Sequence, residues 1–293
     1  MADKAITAAR PPAEVGLARV ERGGRQLDVR AVRVVWRREL LRYVRNRLRM
    51  VTSLVQPVLF LLVLGTGLSS LAPTSGGVNF KTFMFPGILA MTVLFTSLFS
   101  AISIVWDREF GVLREMLVAP VPRSAIVIGK CAGGATTAVI QGVLMLLLAG
   151  AVGVPYNPTL LVTLLGEMLL VAVALTAFGV LVASRMSQIE SFQAVINFLV
   201  MPMFFLAGAI FPLSGLPRWL SVLTKLDPLA YAVDPMRRAV FAHVHASAAL
   251  EQRLNAGMHW GAWRLPVPLE LGLVAGGAAV VLMLAVWQFN RTE

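Results

Sequence analysis

Six long apolar runs constrain the fold of this 293-residue chain more than any other feature. A bilayer core of about 30 Å requires about 20 mostly apolar residues in one helix, and each run satisfies that length. Because the third run is longer than a span requires, its first residues are expected at the membrane surface. The sequence therefore predicts an all-α membrane protein with six transmembrane helices, in residues 50–71, 84–105, 125–154, 160–182, 192–211 and 269–289.

The charge distribution favours a defined orientation in the membrane. Only 14% of residues are charged and 57% are hydrophobic, which excludes a soluble protein. In a soluble protein, the net charge of +11 would suggest binding to nucleic acid. Residues 1–49 contain thirteen Lys and Arg against five Asp and Glu, an excess of 8. Basic residues beside a span mark its cytoplasmic side. With six spans, both termini are expected in the cytoplasm and the protein in the plasma membrane.

Two segments precede the first span. Residues 1–26 have no apolar core and no cleavage pattern of a signal peptide, which indicates a mobile cytoplasmic tail. Residues 27–49 place apolar side chains at helical steps with arginines between them, which predicts an amphipathic helix at the membrane interface. A nucleic-acid-binding arm has similar charge, but this segment adjoins a span. We therefore expect the lipid bilayer as its partner, and no nucleic acid.

A charged segment separates the second and third runs. Its spacing predicts a short helix that ends at Pro120 and Pro122. Glu109 and Glu115 on this helix either pair with basic groups of a partner or remain solvated, as exposed helix charges commonly do. The apolar residues recur at helical steps and predict a face that contacts something outside the membrane, formed by Phe110, Leu113, Met116 and Leu117.

The long stretch 212–268 is predicted to lie on the outer side before the last span. Two amphipathic pieces in it, 217–226 and 229–241, indicate short helices that cover the outer mouth. His243 and His245 suggest zinc, but no carboxylate or cysteine recurs at ligand spacing. No metal site is expected.

Polar residues inside the spans mark candidate positions on a substrate pathway. Glu167 in the fourth run is costly in lipid, which makes it a functional candidate by default. Its expected partners are an amide such as Gln141 or a cationic substrate, and the alternative is a protonated glutamate bonded between helices. The fifth run adds an apolar wall with two amides, which suits amphipathic substrates but also resembles any lipid-facing helix: Gln193, Asn197, Phe198, Met201 and Phe205.

Two motifs in this order resemble type-2 ABC exporter permeases. The loop between the second and third spans is similar to that family's loop at Glu109, Gly111, Glu115, Pro120, Arg123, Gly129 and Lys130. Residues 197–241 resemble its signature region at Gly208, Phe211, Pro212, Leu216, Pro217, Trp219, Leu220, Pro228, Leu229, Tyr231 and Arg237. The resemblance covers the chain from about Leu27 onward and is nearest in character to the daunorubicin-type permeases of drug-resistance exporters.

The resemblance implies a permease dimer with two copies of a separate cytoplasmic ATPase, which binds ATP and Mg. It implies that the segment at Glu109, Phe110, Leu113, Glu115, Met116 and Leu117 is a coupling helix that docks on the ATPase. The interfacial helix would pack against the ATPase as a gate, with Trp36, Arg37, Arg38 and Arg42 as candidate residues. The implied substrate is a hydrophobic or amphipathic drug or a lipid-like molecule, with a lipid-linked glycan as an alternative.

This chain has no phosphate-binding loop of its own. A Walker A loop requires Gly-x-x-x-x-Gly-Lys-Ser/Thr, whereas here Ser124 replaces the first glycine and Cys131 replaces the final hydroxyl residue. Lys130 is therefore interpreted as a lysine at the membrane flank. The chain itself is expected to be neither an enzyme nor a cofactor-binding protein. An ion-coupled secondary multidrug transporter is the remaining alternative, although the spans offer few ion-binding groups.

Overall fold

We describe the fold from a computed structural model, in which residues 25–71, 79–118, 121–213, 215–244, 257–260 and 263–292 are described. Within these ranges, six helical segments are long and apolar enough to cross a membrane, which confirms the prediction of an all-α protein with six candidate spans. Most of the predicted tail, residues 1–24, lies outside the described residues, as do Pro120 and His245. The candidate spans are Arg47–Ser69, Phe80–Glu109, Arg123–Leu146, Pro158–Ala183, Ile189–Leu206 and Val267–Arg291.

The first helix is separated from the first span by one residue. Helix α1 covers Arg25–Arg45 and α2 covers Arg47–Leu59. Between them Asn46 leaves helical geometry, and its side chain accepts a hydrogen bond from the Arg49 amide at 3.0 Å, which caps α2. The span continues through a π-helical turn, Phe60–Leu64, into α3, Gly65–Leu71.

The second span consists of α4, Phe80–Ser100, and α5, Ile102–Glu109, with a slight break at Ala101. Gly111 then adopts a φ of 77°, which a residue with a side chain rarely accepts, and the chain turns into α6, Val112–Val118. The charged segment is therefore divided. Asp107 and Glu109 belong to the span helix, and only the residues after Gly111 form a separate short helix.

The third span ends earlier than the sequence predicted. Helix α7 covers Arg123–Leu146 and is followed by a 3-10 turn, Ala149–Val152, so the surplus residues lie after the span and not before it. Thr82 donates a hydrogen bond to the Val152 carbonyl at 2.6 Å, which fixes this turn against α4. Gly153, with a φ of 81°, then reverses the chain toward α8, Pro158–Ala183.

The remaining elements are α9, Ile189–Leu206, α10, Arg218–Leu226, α11, Ala230–Phe241, and α12, Val267–Thr292. Two short strands before α12 pair antiparallel: β1, His259–Trp260, and β2, Trp263–Arg264. This hairpin was not predicted from the sequence. The structure contains the short helices outside the spans, namely α1, α6, α10 and α11. Where they lie relative to the membrane stays a prediction.

The core lies between α4, α7 and α8. Along α4 almost every side chain from Thr82 to Leu94 is buried, including Phe83 and Phe85 at 0% exposure. The first, fifth and last spans pack on this centre with one side only. Their other sides expose large apolar residues, among them Val51, Val55, Phe198, Phe205, Met283 and Trp287.

Candidate functional site

Helix α1 lies directly against α7 because two glycines on α7 leave room for it. A Cβ atom added to Gly129 would stand 2.7 Å from the Val35 Cβ, and one added to Gly133 would stand 2.6 Å from the Glu39 Cβ. Glycines four residues apart lie on one face of a helix and allow the backbones to approach closely. Trp36 adds a hydrogen bond from its Nε1 to the Thr136 hydroxyl at 3.0 Å.

The centre of this contact is a buried lysine. Lys130 is 4% exposed, and its Nζ lies 2.8 Å from Glu39 Oε1 and 3.0 Å from the Ser103 hydroxyl. It also forms an ion pair with Asp107, which is 2% exposed. Lys130 thus joins α1, α5 and α7. The interpretation of Lys130 as a lysine at the membrane flank stays a prediction, but it did not foresee that the side chain points into the protein toward two carboxylates.

Two arginines of α1 complete the cluster. Arg38 pairs with Asp107, and Arg42 Nη2 lies 3.4 Å from Asp107 Oδ1. The group therefore combines three cations with two carboxylates around Asp107. Charges removed from water are costly unless each finds a partner, so the cluster requires all these elements together. We refer below to Arg38, Glu39, Arg42, Asp107 and Lys130 as the charge cluster.

A hydrogen-bond network around the Gln141 side chain extends the contact between α1 and α7 toward the first span. Gln141 is fully buried, donating to the Ser53 hydroxyl at 2.8 Å and to the Met50 carbonyl at 3.2 Å. Its Oε1 accepts a hydrogen bond from the Tyr43 hydroxyl. Burial raises the pKa of Tyr43 to about 12, so this hydroxyl keeps its proton and remains a donor at neutral pH. Gln141 therefore binds α1 and α2 to α7, and its hydrogen bonds go to these helices and not to Glu167, contrary to our expectation.

Replacing Gln141 with leucine is expected to lower the free energy of unfolding by about 1–3 kcal/mol, because the buried amide loses its hydrogen bonds with the half-buried Tyr43, with Ser53 and with the Met50 carbonyl. Thermal unfolding of the detergent-solubilised protein measures this loss. Gln188→Leu, at an exposed position before α9, is the matched control and should leave the unfolding temperature unchanged. Equal unfolding temperatures of the two variants would show that the Gln141 network does not stabilise the contact of α1 and α2 with α7.

A cavity of about 670 Å³ adjoins the charge cluster. It is bounded by α1, α2, α4, α5, α7 and α9, and Glu39 and Arg42 line it together with Gly133. Gln193 is the only residue among the predicted pathway candidates that lines it. Its wall mixes aromatic and hydrogen-bonding side chains, including Phe95, Phe99, Trp106, Ser53, Thr96 and Thr137.

The other pathway candidates lie elsewhere. On α9, Asn197 is exposed, as are Phe198, Met201 and Phe205, and all lie on the side of the helix that faces away from the core. Glu167 is 6% exposed, and its Oε2 has no hydrogen-bond partner among the described residues. The structure therefore does not bring the predicted pathway residues together at one place.

In the segment predicted to couple to an ATPase, some side chains are exposed and others are buried in the protein. Phe110 is 62% exposed and Glu115 is exposed, whereas Leu113 is 1% exposed and belongs to the core. Placing Leu113 on an outward face was wrong, because α6 packs that side chain inward. Met116 is half-buried and its sulfur accepts a hydrogen bond from Arg38 at 3.4 Å. The side chain of Leu117 lies outside the described residues.

The end of α5 also contacts the start of the fifth span. Glu109 Oε2 accepts a hydrogen bond from the Ile189 amide at 3.0 Å, at the first residue of α9. Arg108 donates to the carbonyl oxygens of Met186 at 2.6 Å and Ala183 at 3.3 Å. Through these hydrogen bonds, the two neighbouring side chains bind the turn between the fourth and fifth spans to the end of α5. Within the protein, Glu109 therefore already has a partner.

Among the predicted gate residues, Trp36 and Arg38 face α7 and α5, Arg42 lies at the cavity, and Arg37 is exposed. Sequence reasoning missed Glu39, Asp107 and Lys130 as a set. One signal was available: Glu39 interrupts the basic helix at a position three residues after Trp36 and four before Tyr43, on its apolar face.

Comparison with known proteins identifies relatives over most of the chain. A family model described as ABC-2 type transporter matches residues 30–241, which include the charge cluster and the cavity. A putative transport permease ycf38 of Cyanophora paradoxa is 30% identical over 220 residues, or 73% of this chain and 74% of that protein.

Two bacterial proteins are similar over comparable lengths. Nodulation protein J of Rhizobium leguminosarum bv. viciae is 27% identical, over 74% of this chain and 84% of its own length. The inner membrane transport permease YadH of Escherichia coli K12 is 26% identical, over 71% of this chain and 81% of its own length. With a family model that matches most of its length and relatives that are transport permeases, the chain belongs to the ABC-2 type transporter family as a membrane permease.

Proposed function

We propose that this permease is the membrane subunit of an ATP-driven exporter and that the cavity beside α1 receives the substrate. The cavity is the observation that carries this proposal. It lies between spans, is large enough for a small organic molecule, and borders both the charge cluster and the fifth span.

The composition of the cavity wall favours an amphipathic substrate. Phe95, Phe99 and Trp106 offer aromatic surface for an apolar part of the molecule. Hydroxyl groups such as Ser53 and Thr137 offer hydrogen bonds for a polar part. A hydrophobic or amphipathic drug or a lipid-like molecule matches this wall.

A lipid-linked glycan is the second candidate substrate. The similarity to proteins named Nodulation protein J favours a substrate outside the drug class. The many hydroxyl and amide groups of the wall also suit a molecule rich in hydroxyls. Competition between a hydrophobic drug and a lipid-linked sugar for transport by the same reconstituted complex distinguishes the two.

The proposed energy source is a separate cytoplasmic ATPase, of which two copies bind ATP and Mg beneath a permease dimer. The exposed apolar sides of the first and fifth spans supply surface for the second permease copy. The exposed Phe110 beside α6 supplies an apolar anchor for the ATPase, with Glu115 as a charged neighbour. In this arrangement both termini of the permease lie in the cytoplasm.

The contacts of α5 describe how a movement at the ATPase would reach the membrane. Displacement of α6 acts on α5 through the turn at Gly111. Helix α5 acts on α9 through Glu109 and Arg108, and on α1 through Asp107. The permease then alternates between two states that ATP and substrate bias from different sides.

Replacing Phe110 with aspartate is expected to weaken complex formation with the ATPase at least tenfold while the permease remains folded, because an exposed aromatic anchor is lost. Co-purification and stimulated ATP hydrolysis measure the effect. Leu226→Asp, which alters a 74% exposed apolar residue on α10 beyond the far end of the fifth span, is the control. A Phe110→Asp variant with full complex formation would show that the ATPase docks elsewhere.

The test of the whole proposal is co-expression with the soluble ATPase encoded nearest to this permease, followed by transport in proteoliposomes. ATP-dependent transport that stops without hydrolysis supports the proposal. Transport driven by a proton gradient in the absence of ATP would replace it with an ion-coupled secondary transporter.

A further inference from the structure

We propose that the bend between α1 and α2 binds the phosphate headgroup of an anionic phospholipid, such as phosphatidylglycerol. An open cleft of about 710 Å³ lies at this bend. Among the residues that the structure describes, its lining contains four arginines and no acidic residue: Arg38, Leu41, Arg42, Arg45, Asn46, Arg47 and Leu48. We call this the elbow cleft.

The positive charge of the elbow cleft is only partly neutralised by the described residues around it, because Arg38 and Arg42 have carboxylate partners and Arg45 and Arg47 do not. The nearest carboxylates, Glu39 and Asp107, are already shared by Lys130, Arg38 and Arg42. Arg45 and Arg47 are exposed and have no ion pair among the residues that the structure describes. Arginine presents a planar set of donors that matches phosphate oxygens, so this pair favours a phosphate ligand.

The surroundings of the arginines are apolar, which favours a lipid over a free anion. Leu41 is 43% exposed and Leu48 is 75% exposed, and both line the cleft. Along α2, Val51 and Val55 continue this exposed apolar strip away from the arginines. A headgroup on the arginines would therefore place its acyl chains along the first span.

The position in the chain agrees with this ligand. Asn46 separates α1 from the first candidate span, which starts at Arg47, so the cleft lies where a span emerges from the bilayer. Basic clusters at that depth attract anionic headgroups, and each basic side chain contributes about a fivefold gain in affinity. The proposal is independent of the substrate and of the ATPase.

Native mass spectrometry of the full-length permease in detergent tests the proposal. The protein is titrated with phosphatidylglycerol and with phosphatidylcholine of the same acyl chains. We expect clear preference for phosphatidylglycerol, and binding about 30-fold weaker in the double variant Arg45→Gln/Arg47→Gln. The control Arg30→Gln/Arg33→Gln removes the same charge from exposed positions of α1 outside the cleft and should bind as the unaltered protein does.

Three results would overturn the proposal. Equal weakening in both double variants would mean that total charge and not the elbow cleft attracts the lipid. Displacement of phosphatidylglycerol by millimolar inorganic phosphate would mean that the site takes the free anion. Loss of ATPase or permease-dimer assembly in Arg45→Gln/Arg47→Gln, with lipid binding unchanged, would assign the cleft to a protein partner.

Discussion

Replacing Lys130 with methionine is expected to destabilise the permease by about 1.5–3 kcal/mol, because Asp107 and Glu39 lose the buried cation that they share and keep only the more exposed Arg38 and Arg42. The loss should appear as detachment of α1 and as failure of transport. The chain contains a single cysteine, Cys131, which is 4% exposed and lies beside the altered residue. Its labelling by a maleimide dye during heating therefore measures unfolding directly.

Two variants distinguish charge imbalance from loss of packing at Lys130. Arg185→Met removes an exposed basic residue and should label as the unaltered protein does. Asp107→Asn combined with Lys130→Met removes both members of the pair and should restore part of the stability, because fewer unpaired charges remain buried. If the double variant were less stable than Lys130→Met by the full cost of a second substitution, the two residues would not be coupled.

Substituting Gly133 by leucine is expected to separate α1 from α7 and to abolish transport. A single added carbon already lies 2.6 Å from the Glu39 Cβ, and this neighbour is the rigid stem of its side chain. Overpacking of this kind costs about 1–3 kcal/mol for small insertions, and leucine adds more than one carbon. The displacement would also carry Glu39 away from Lys130, so the charge cluster is lost with the contact.

The control for Gly133 is Gly166→Leu on α8, because no atom lies within 4 Å of a Cβ added there. Labelling of Cys131 measures the separation of α1 from α7. A second measurement is the distance between spin labels on α1 and α7, introduced in a variant without Cys131. Gly133→Ala should give an intermediate distance. Unchanged distances in both Gly133 variants would contradict the close α1–α7 contact.

The sequence was sufficient for the spans because hydrophobic length is a local property that each segment carries by itself. The sequence was not sufficient to predict which charged residues pair with each other. Asp107 and Lys130 are 23 residues apart and stand on two different helices, so only the packing of α5 against α7 shows that they form a pair. The same holds for Leu113, whose spacing with Phe110 predicted a common face that Gly111 abolishes by turning the chain between them.

The third span shows a different limit of sequence reasoning. Residues 147–154 are as apolar as a span interior, and nothing in their composition marks the end of the helix. The helix ends there because the following turn is held by Thr82 and reversed by Gly153. Those are tertiary and backbone properties, and hydropathy does not register them.

The single-residue connection at Asn46 limits which parts of the molecule can move. Since α1 is fixed to α7 and only one residue joins α1 to α2, the first residue of α2 stays within about 7 Å of the last residue of α1. The near end of the first span is therefore tethered to the third span beside the cavity. Helix α9 contributes Gln193 to the opposite wall and is held to α5 at its first residue by Glu109. Widening of the cavity by movement of the fifth span at this end would therefore strain the hydrogen bond between Glu109 and Ile189.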